Sequence, residues 1–184
     1  MASWGSTPLF HIVGVTPECR GLADVGGAAL AATRVAADEL ADLSAAFGAA
    51  GEAVDVVVFA APQLSLVEMG QVAALCDGRR RATATDLIVC TSAQVYGDAE
   101  AMGYVEAIRS FGGTVLTGTC FYQQYAREIG EANGWTRLLS NSAKIVNILG
   151  GYGYRPALAT MADCVASAEA GIIVAGQGTE TEAG

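Results

Sequence analysis

Two short stretches of the sequence carry the side chains best suited to chemistry. They are Thr117-Gly-Thr-Cys120 and Ser140-Asn-Ser-Ala-Lys144, and each follows an apolar, β-branched run. Lys144 is the single lysine among ten lysines and arginines, and a lysine supplies a compact ammonium whose pKa falls on desolvation, which arginine cannot. These residues predict a site that combines a thiol with an ammonium. The alternative is a capped helix start, with Asn141 or Ser142 as the cap and Lys144 solvated on the first turn.

The elements that would position these residues alternate between strands and helices. This alternation predicts an α/β fold, a parallel β-sheet of about five strands with helices on both faces in a Rossmann-like three-layer arrangement. The predicted strands cover residues 8–15, 54–60, 86–91, 114–117 and 136–139. The predicted helices cover roughly residues 40–47, 65–76, 92–111, 121–129 and 161–170.

Polar side chains gather where the predicted strands end. Parallel sheets place their ligands at the carboxyl ends of the strands, so this edge is predicted to bind a substrate. N-capping of the following helices would produce the same concentration of hydroxyl groups, and the two interpretations stay open. The candidate substrate-binding residues are Ser65, Thr91, Ser92, Asn141, Ser142 and Lys144.

Composition and charge narrow the class of protein. The 184 residues fit one domain over residues 1–175, followed by a flexible acidic tail over 176–184. A net charge of −9 argues against nucleic acid or an anionic membrane as partner. The hydrophobic fraction of 52% is high, which indicates that part of the apolar surface faces another subunit.

The location and redox state follow from two further features. We find no signal peptide pattern and no apolar run long enough to span a membrane, so we expect a cytoplasmic protein. Five cysteines without a C-x-x-C pair favour reduced thiols over a disulfide framework.

Several common site patterns are missing from the sequence. Neither G-x-G-x-x-G after the first predicted strand nor G-K-[ST] occurs, which argues against a nucleotide site. His11, the single histidine, has no G-x-S-x-G motif to pair with and lies in a predicted strand, where a core or partner-facing position is expected. A zinc site made only of protein ligands is also not expected.

Five motifs, in order along nearly the whole chain, resemble the second half of the aconitase X catalytic (large) subunit. That family contains dehydratases, among them archaeal phosphomevalonate dehydratase and bacterial cis-3-hydroxyproline dehydratase. The resemblance implies a large subunit that works beside a small swivelling one, with iron or an iron–sulfur cluster held by cysteines. The motifs lie at residues 8–18, 54–68, 91–105, 119–120 and 140–144.

The resemblance assigns roles to individual residues. Cys120 would be a cluster ligand and, with Lys144, a catalytic residue, while Lys144 with Asn141 and Ser142 would contact an anionic substrate group. Two departures stand out, because Ala61 occupies the position of a second ligand and Gly118 replaces the usual Asp. A single thiolate does not hold a [4Fe–4S] cluster, so either a partner supplies the other ligands or the metal has been lost.

Two interpretations follow from the resemblance. In the first, the chain is one subunit of a split aconitase X-like hydro-lyase that acts on a small hydroxy-carboxylate or phosphorylated hydroxy acid. Its partners are then a chain equivalent to the N-terminal half of the large subunit and a small swivelling subunit, and it is inactive without them. In the second, the chain is a cluster-less structural or repurposed subunit of a complex, without dehydratase activity of its own.

Overall fold

A computed structural model describes Gly5 and residues 7–174 of the chain. It contains two compact units, the first ending at Leu43 and the second beginning at Ser44. The acidic tail predicted for residues 176–184 lies outside the described residues, and the single-domain boundary at residue 175 stays a prediction.

The helices and strands have the following bounds. The strands are β1 (Val56–Leu64), β2 (Asp86–Thr91), β3 (Thr114–Thr117), β4 (Arg137–Ser140) and β5 (Arg155–Leu158). The helices are α1 (Ala37–Ala46), α2 (Leu66–Cys76), α3 (Ala93–Ala101), α4 (Tyr104–Phe111), α5 (Ala126–Asn133), α6 (Ala143–Leu149) and α7 (Met161–Ala170). Single 3₁₀ turns occupy Leu22–Val25, Phe121–Gln123 and Gly150–Tyr152. Among the described residues no helix is both long and apolar enough to cross a membrane.

The five strands form one parallel sheet in the order β3-β2-β1-β4-β5. The central strand, β1, pairs with β2 on one side and with β4 on the other. The prediction of a parallel α/β sheet with helices on both faces is therefore confirmed. An open sheet with this strand order changes winding direction between β1 and β4, which is where such folds bind ligands.

Both faces of the sheet are buried, which explains the continuous apolar sequence of β1. Val57 and Phe59 belong to a core that also contains buried side chains of α2, α4 and α7. Val56 and Val58 point to the other face, where the core includes side chains of α5 and α6. The helices that follow β1 and β4 thus lie on opposite faces.

The strand predicted for residues 8–15 is wrong. The segment folds back on itself, since the backbone N–H of Thr16 donates to the carbonyl of Ile12 and the hydroxyl of Thr16 accepts from the N–H of Ile12. Gly14 has a left-handed backbone conformation with φ of 75°, which no regular strand permits. His11 is therefore exposed in a turn segment, 3.8 Å from the carboxylate of Glu18.

Two further elements differ from the prediction. The fifth strand is β5, which sequence reasoning missed because it is short and contains Pro156, a residue unusual within a strand. The single helix predicted over residues 92–111 is two helices, α3 and α4, separated at Gly103, whose φ is 80°. The sheet has the expected number of strands, although one of the five lies elsewhere in the chain.

Candidate functional site

The carboxyl ends of β1 and β4 are joined by side-chain hydroxyl groups. The Ser140 hydroxyl donates to the carbonyl of Val58, and the Ser142 hydroxyl donates to the carbonyl of Ala61, both at 2.7 Å. The Ser142 hydroxyl also accepts from the N–H of Ile145 and so caps α6. The first turn of α6, which carries Lys144, is therefore fixed against the end of β1.

The loop that carries Cys120 is attached to the same edge. The side-chain amide of Gln63 donates to the carbonyl of Thr119 at 2.8 Å. The hydroxyl of Thr91, fully buried, donates to the carbonyl of Leu64 at 2.7 Å. These bonds connect the end of β1 to the end of β2 and to the loop after β3.

Cys120 is half-buried at the start of the Phe121–Gln123 turn. Its neighbour is the buried thiol of Cys90. Burial and, to a smaller extent, the neighbouring Cys120 together raise the pKa of Cys90 to about 11, against a hydrogen bond from the N–H of Phe121 that lowers it. Cys120 is thus the accessible member of two neighbouring thiols, and Cys90 stays protonated at neutral pH.

Lys144 is exposed, and its ammonium nitrogen lies 5.3 Å from the centre of the Tyr122 ring. No carboxylate of the described residues lies within ion-pair distance of it. Tyr122 follows Cys120 by two residues, and both pack against the core that includes α6. The structure therefore brings the neighbourhoods of Cys120 and Lys144 together on one face of the sheet, through Tyr122.

Three of the other candidate residues serve local structure. Ser65 caps α2 by accepting from the N–H of Glu68, whose carboxylate accepts from Ser65 in return, as in a capping box. Ser92 caps α3, and the Thr91 hydroxyl is used within the sheet edge. The helices that begin at Ser65 and Ser92 pack on the face of the sheet opposite to α6.

Asn141 is exposed, directly after the end of β4. It lines a cavity of about 450 Å³ together with Thr160 and Asp163 at the start of α7. Ser142 lies two positions before Lys144, and its hydroxyl is already hydrogen-bonded to the carbonyl of Ala61 and the N–H of Ile145.

The side chains present do not make a complete iron–sulfur site. Within residues 7–174 no three histidine, cysteine, aspartate or glutamate side chains come together in a way that could hold a metal ion. Ala61, at the end of β1, offers only a methyl group and a carbonyl that Ser142 already occupies. A cluster of this kind normally takes several thiolates, so the described residues alone do not fit it.

Sequence reasoning missed Tyr122 and placed Gln63 at a strand end without assigning it a role, although both residues join separate parts of this edge. Tyr122 meets Lys144 across 22 positions of the chain, and no local pattern connects the two. The polar character of Gln63, directly after Pro62 at a strand end, was the one available signal.

The exposure of the thiols gives a direct test of the site geometry. We expect iodoacetamide at pH 8 to alkylate Cys120 at least roughly tenfold faster than any other cysteine, because only a thiolate reacts and Cys120 alone is accessible. Burial raises the pKa of Cys76 to about 12 and that of Cys90 to about 11, so both thiols stay neutral at this pH. Peptide mass spectrometry would measure the rates, with the urea-unfolded chain as the control. Faster labelling of another cysteine would contradict this geometry.

Known proteins with similar sequences cover most of the chain. Residues 54–170 match the family model of the aconitase X third domain. The cis-3-hydroxy-L-proline dehydratase of Pseudomonas aeruginosa is 38% identical over 175 residues, 93% of this chain and 30% of that protein. The phosphomevalonate dehydratase large subunit of Methanothermobacter thermautotrophicus is 31% identical over 152 residues, 82% of this chain and 36% of that protein.

The fold has a counterpart among solved structures. A crystal structure of Thermococcus kodakaraensis aconitase X in its holo form matches with a TM-score of 0.64 at 20% identity, covering 84% of this chain and 38% of that one. At this level of identity the likeness concerns the fold. The chain spans only 30% to 38% of the length of these three relatives.

Proposed function

The chain belongs to the aconitase X family, and on that premise we propose that it is one piece of a split hydro-lyase. The substrate would be a small hydroxy acid that carries a carboxylate or a phosphate. The relatives named above are dehydratases, which supports this reaction class. The reaction breaks a C–H bond and a C–O bond, forms a carbon–carbon double bond, and releases the hydroxyl group with a proton as water.

One observation carries the proposal: the ammonium of Lys144 has no carboxylate partner among the described residues. It also lies at the sheet edge where α/β folds bind ligands. An ammonium that is not neutralised by the protein is available to an anionic group of the substrate. In this proposal Lys144 holds the carboxylate or phosphate, and Cys120 accepts or donates the proton that moves during elimination.

The apolar surface of the first unit supports a partner chain. Large apolar side chains are exposed over a short stretch, with Leu9 at 85% and Val15 at 72% exposure. Contiguous exposed apolar side chains are typical of protein–protein contacts. We propose that this stretch contacts a chain equivalent to the N-terminal half of the large subunit, that a small swivelling subunit completes the enzyme, and that the complex is cytoplasmic. The exposed residues are Leu9, Phe10, Ile12, Val13 and Val15.

The second candidate function is that of a cluster-less structural or repurposed subunit in such a complex. It is favoured by Ala61 in the place of a ligand and by the incomplete set of metal-binding side chains within the described residues. A complex without iron could still catalyse the reaction, or it could lack the reaction altogether, and these outcomes can be separated by experiment.

The test is co-expression with the neighbouring genes, followed by purification, iron and sulfide analysis, visible absorbance and turnover of cis-3-hydroxy-L-proline, phosphomevalonate and related hydroxy acids. We expect a stable complex that dehydrates one of them. A colourless, iron-free complex that turns over would remove the cluster mechanism. A stable complex without turnover of any of these acids would favour the second candidate, and failure to form any complex would exclude a split enzyme.

A pair of matched variants tests the proposed partner surface in the same co-expression experiment. Leu9→Asp should abolish co-purification because it places a charge in the apolar stretch, whereas Val67→Asp, at another highly exposed position on α2, should leave it intact. Equal co-purification of both variants would exclude this stretch as the contact.

A further inference from the structure

We propose that Tyr122 is the positioning residue of Lys144, and that its ring holds the ammonium in place for an anion without neutralising it. This inference rests on the proposed function, since it specifies how the same site receives a carboxylate or phosphate. It adds to that function a residue that does not itself touch the reacting atoms.

The geometry falls within the range of a cation–π contact. The ammonium nitrogen lies 5.3 Å from the ring centre, and such contacts extend to about 6 Å. A carboxylate in the same place would also fix the ammonium, but it would cancel the charge that an anionic ligand needs. An aromatic ring has no net charge, so it orders the side chain and leaves its charge available.

Tyr122 is itself held by a rigid turn. The preceding residue, Phe121, is buried, and its ring centre lies 6.4 Å from that of Trp135 and 6.2 Å from that of Tyr154. The hydroxyl of Tyr154 donates to the carbonyl of Ala126 at 2.7 Å and fixes this aromatic cluster to α5. Tyr122 can therefore impose an orientation on the long, flexible side chain of Lys144.

A second cation over a tyrosine ring gives a useful contrast. Arg109 lies 6.0 Å from the ring centre of Tyr96 and donates to its hydroxyl, which in turn donates to the carboxylate of Glu100. That group is a closed surface network with its own negative charge. The Tyr122–Lys144 contact has no carboxylate in it, which distinguishes an open anion position from a surface ion pair.

The single lysine makes this contact measurable. Reductive methylation with ¹³C-formaldehyde labels only Lys144 and the N-terminal amine, and it keeps the positive charge of the lysine. The two labelled groups give separate signals, because an N-terminal amine titrates near pH 8. In the full chain we expect the Lys144 methyl signal to be shifted upfield by the ring current of Tyr122. The shift should persist in Tyr122→Phe and disappear in Tyr122→Leu.

Kinetics of the assembled complex complete the test. We expect Tyr122→Leu to raise KM about fivefold with kcat little changed, and Tyr122→Phe to restore the wild-type KM.

An unshifted wild-type signal, or equal signals in wild type and Tyr122→Leu, would overturn the contact. Loss of the shift without a change in KM would overturn its role in binding. Unchanged kinetics in Lys144→Ala would instead reject the proposed function, since that result concerns the lysine and not its orientation.

Discussion

Replacing Lys144 by alanine should lower kcat/KM of the assembled enzyme on the order of 100-fold, mostly through a higher KM. A hydrogen bond to a charged group contributes about 1.5–3 kcal/mol, and each 1.4 kcal/mol is a factor of ten. The free energy of unfolding should change by less than about 1 kcal/mol, because Lys144 is exposed, makes no ion pair with the described residues and loses only its contact with the Tyr122 ring. Steady-state kinetics and urea unfolding measure the two quantities.

Two control variants make this result specific. Lys144→Arg keeps the charge but replaces the compact ammonium by a planar fork, so we expect an intermediate KM. Arg80→Ala removes an exposed cation that donates to the carbonyl of Ser110, far along the chain from the site, and should leave kcat/KM unchanged. Equal losses in Arg80→Ala and Lys144→Ala would show that only the overall charge matters, and would exclude a local anion site.

Replacing Gly130 by alanine should destabilise the second unit by about 3 kcal/mol. A Cβ at this position would lie 2.7 Å from the hydroxyl oxygen of Tyr154 and 2.8 Å from the adjacent ring carbon. The ring must then move, which strains the packing and leaves the carbonyl of Ala126 without its hydrogen bond. Urea unfolding followed by circular dichroism would measure the free energy of unfolding.

Gly97→Ala is the matched control, and its expected effect on the free energy of unfolding has the opposite sign. Gly97 also lies within a helix, α3, but nothing stands within 4 Å of its added Cβ. Gly97→Ala should therefore stabilise the chain by up to about 1 kcal/mol, the difference in helix propensity between the two residues. If both substitutions destabilised the chain equally, the close approach of Tyr154 to α5 would be wrong.

Much of the fold could be predicted because strands buried on both faces have distinctive sequences. The apolar, β-branched runs of β1 and β2 have no competing interpretation, and Ser65 with Glu68 marks the start of α2. The segment 8–15 has a similar composition but forms turns, since Gly14 and Thr16 offer local hydrogen bonds that compete with a sheet. Sequence analysis did not recognise β5 because the strand contains Pro156, and proline is excluded from central strands. β5 lies at the edge of the sheet, where a proline is tolerated.

Sequence analysis could identify only those site residues whose type is rare in the chain or whose position at a strand end is distinctive. Lys144 stands out as the single lysine and Cys120 as a thiol at a strand end, and both lie on the same face of the sheet. The partners that hold them, Tyr122 and Gln63, act across 22 and 56 positions. Contacts of this range depend on the strand order, which a sequence does not specify locally.

The central position of β1 limits how a protein with this fold can be divided between chains. Every hydrogen bond between the halves of the sheet passes through β1, which pairs with β2 from one half and β4 from the other. A break between β3 and β4 would leave a two-stranded fragment, which is marginally stable at best in water. A break in this interval after Tyr122 would also place Tyr122 and Lys144 on different polypeptides. Gene fission or fusion can therefore rearrange the surroundings of this sheet, whereas residues 56–158 have to be inherited as one piece.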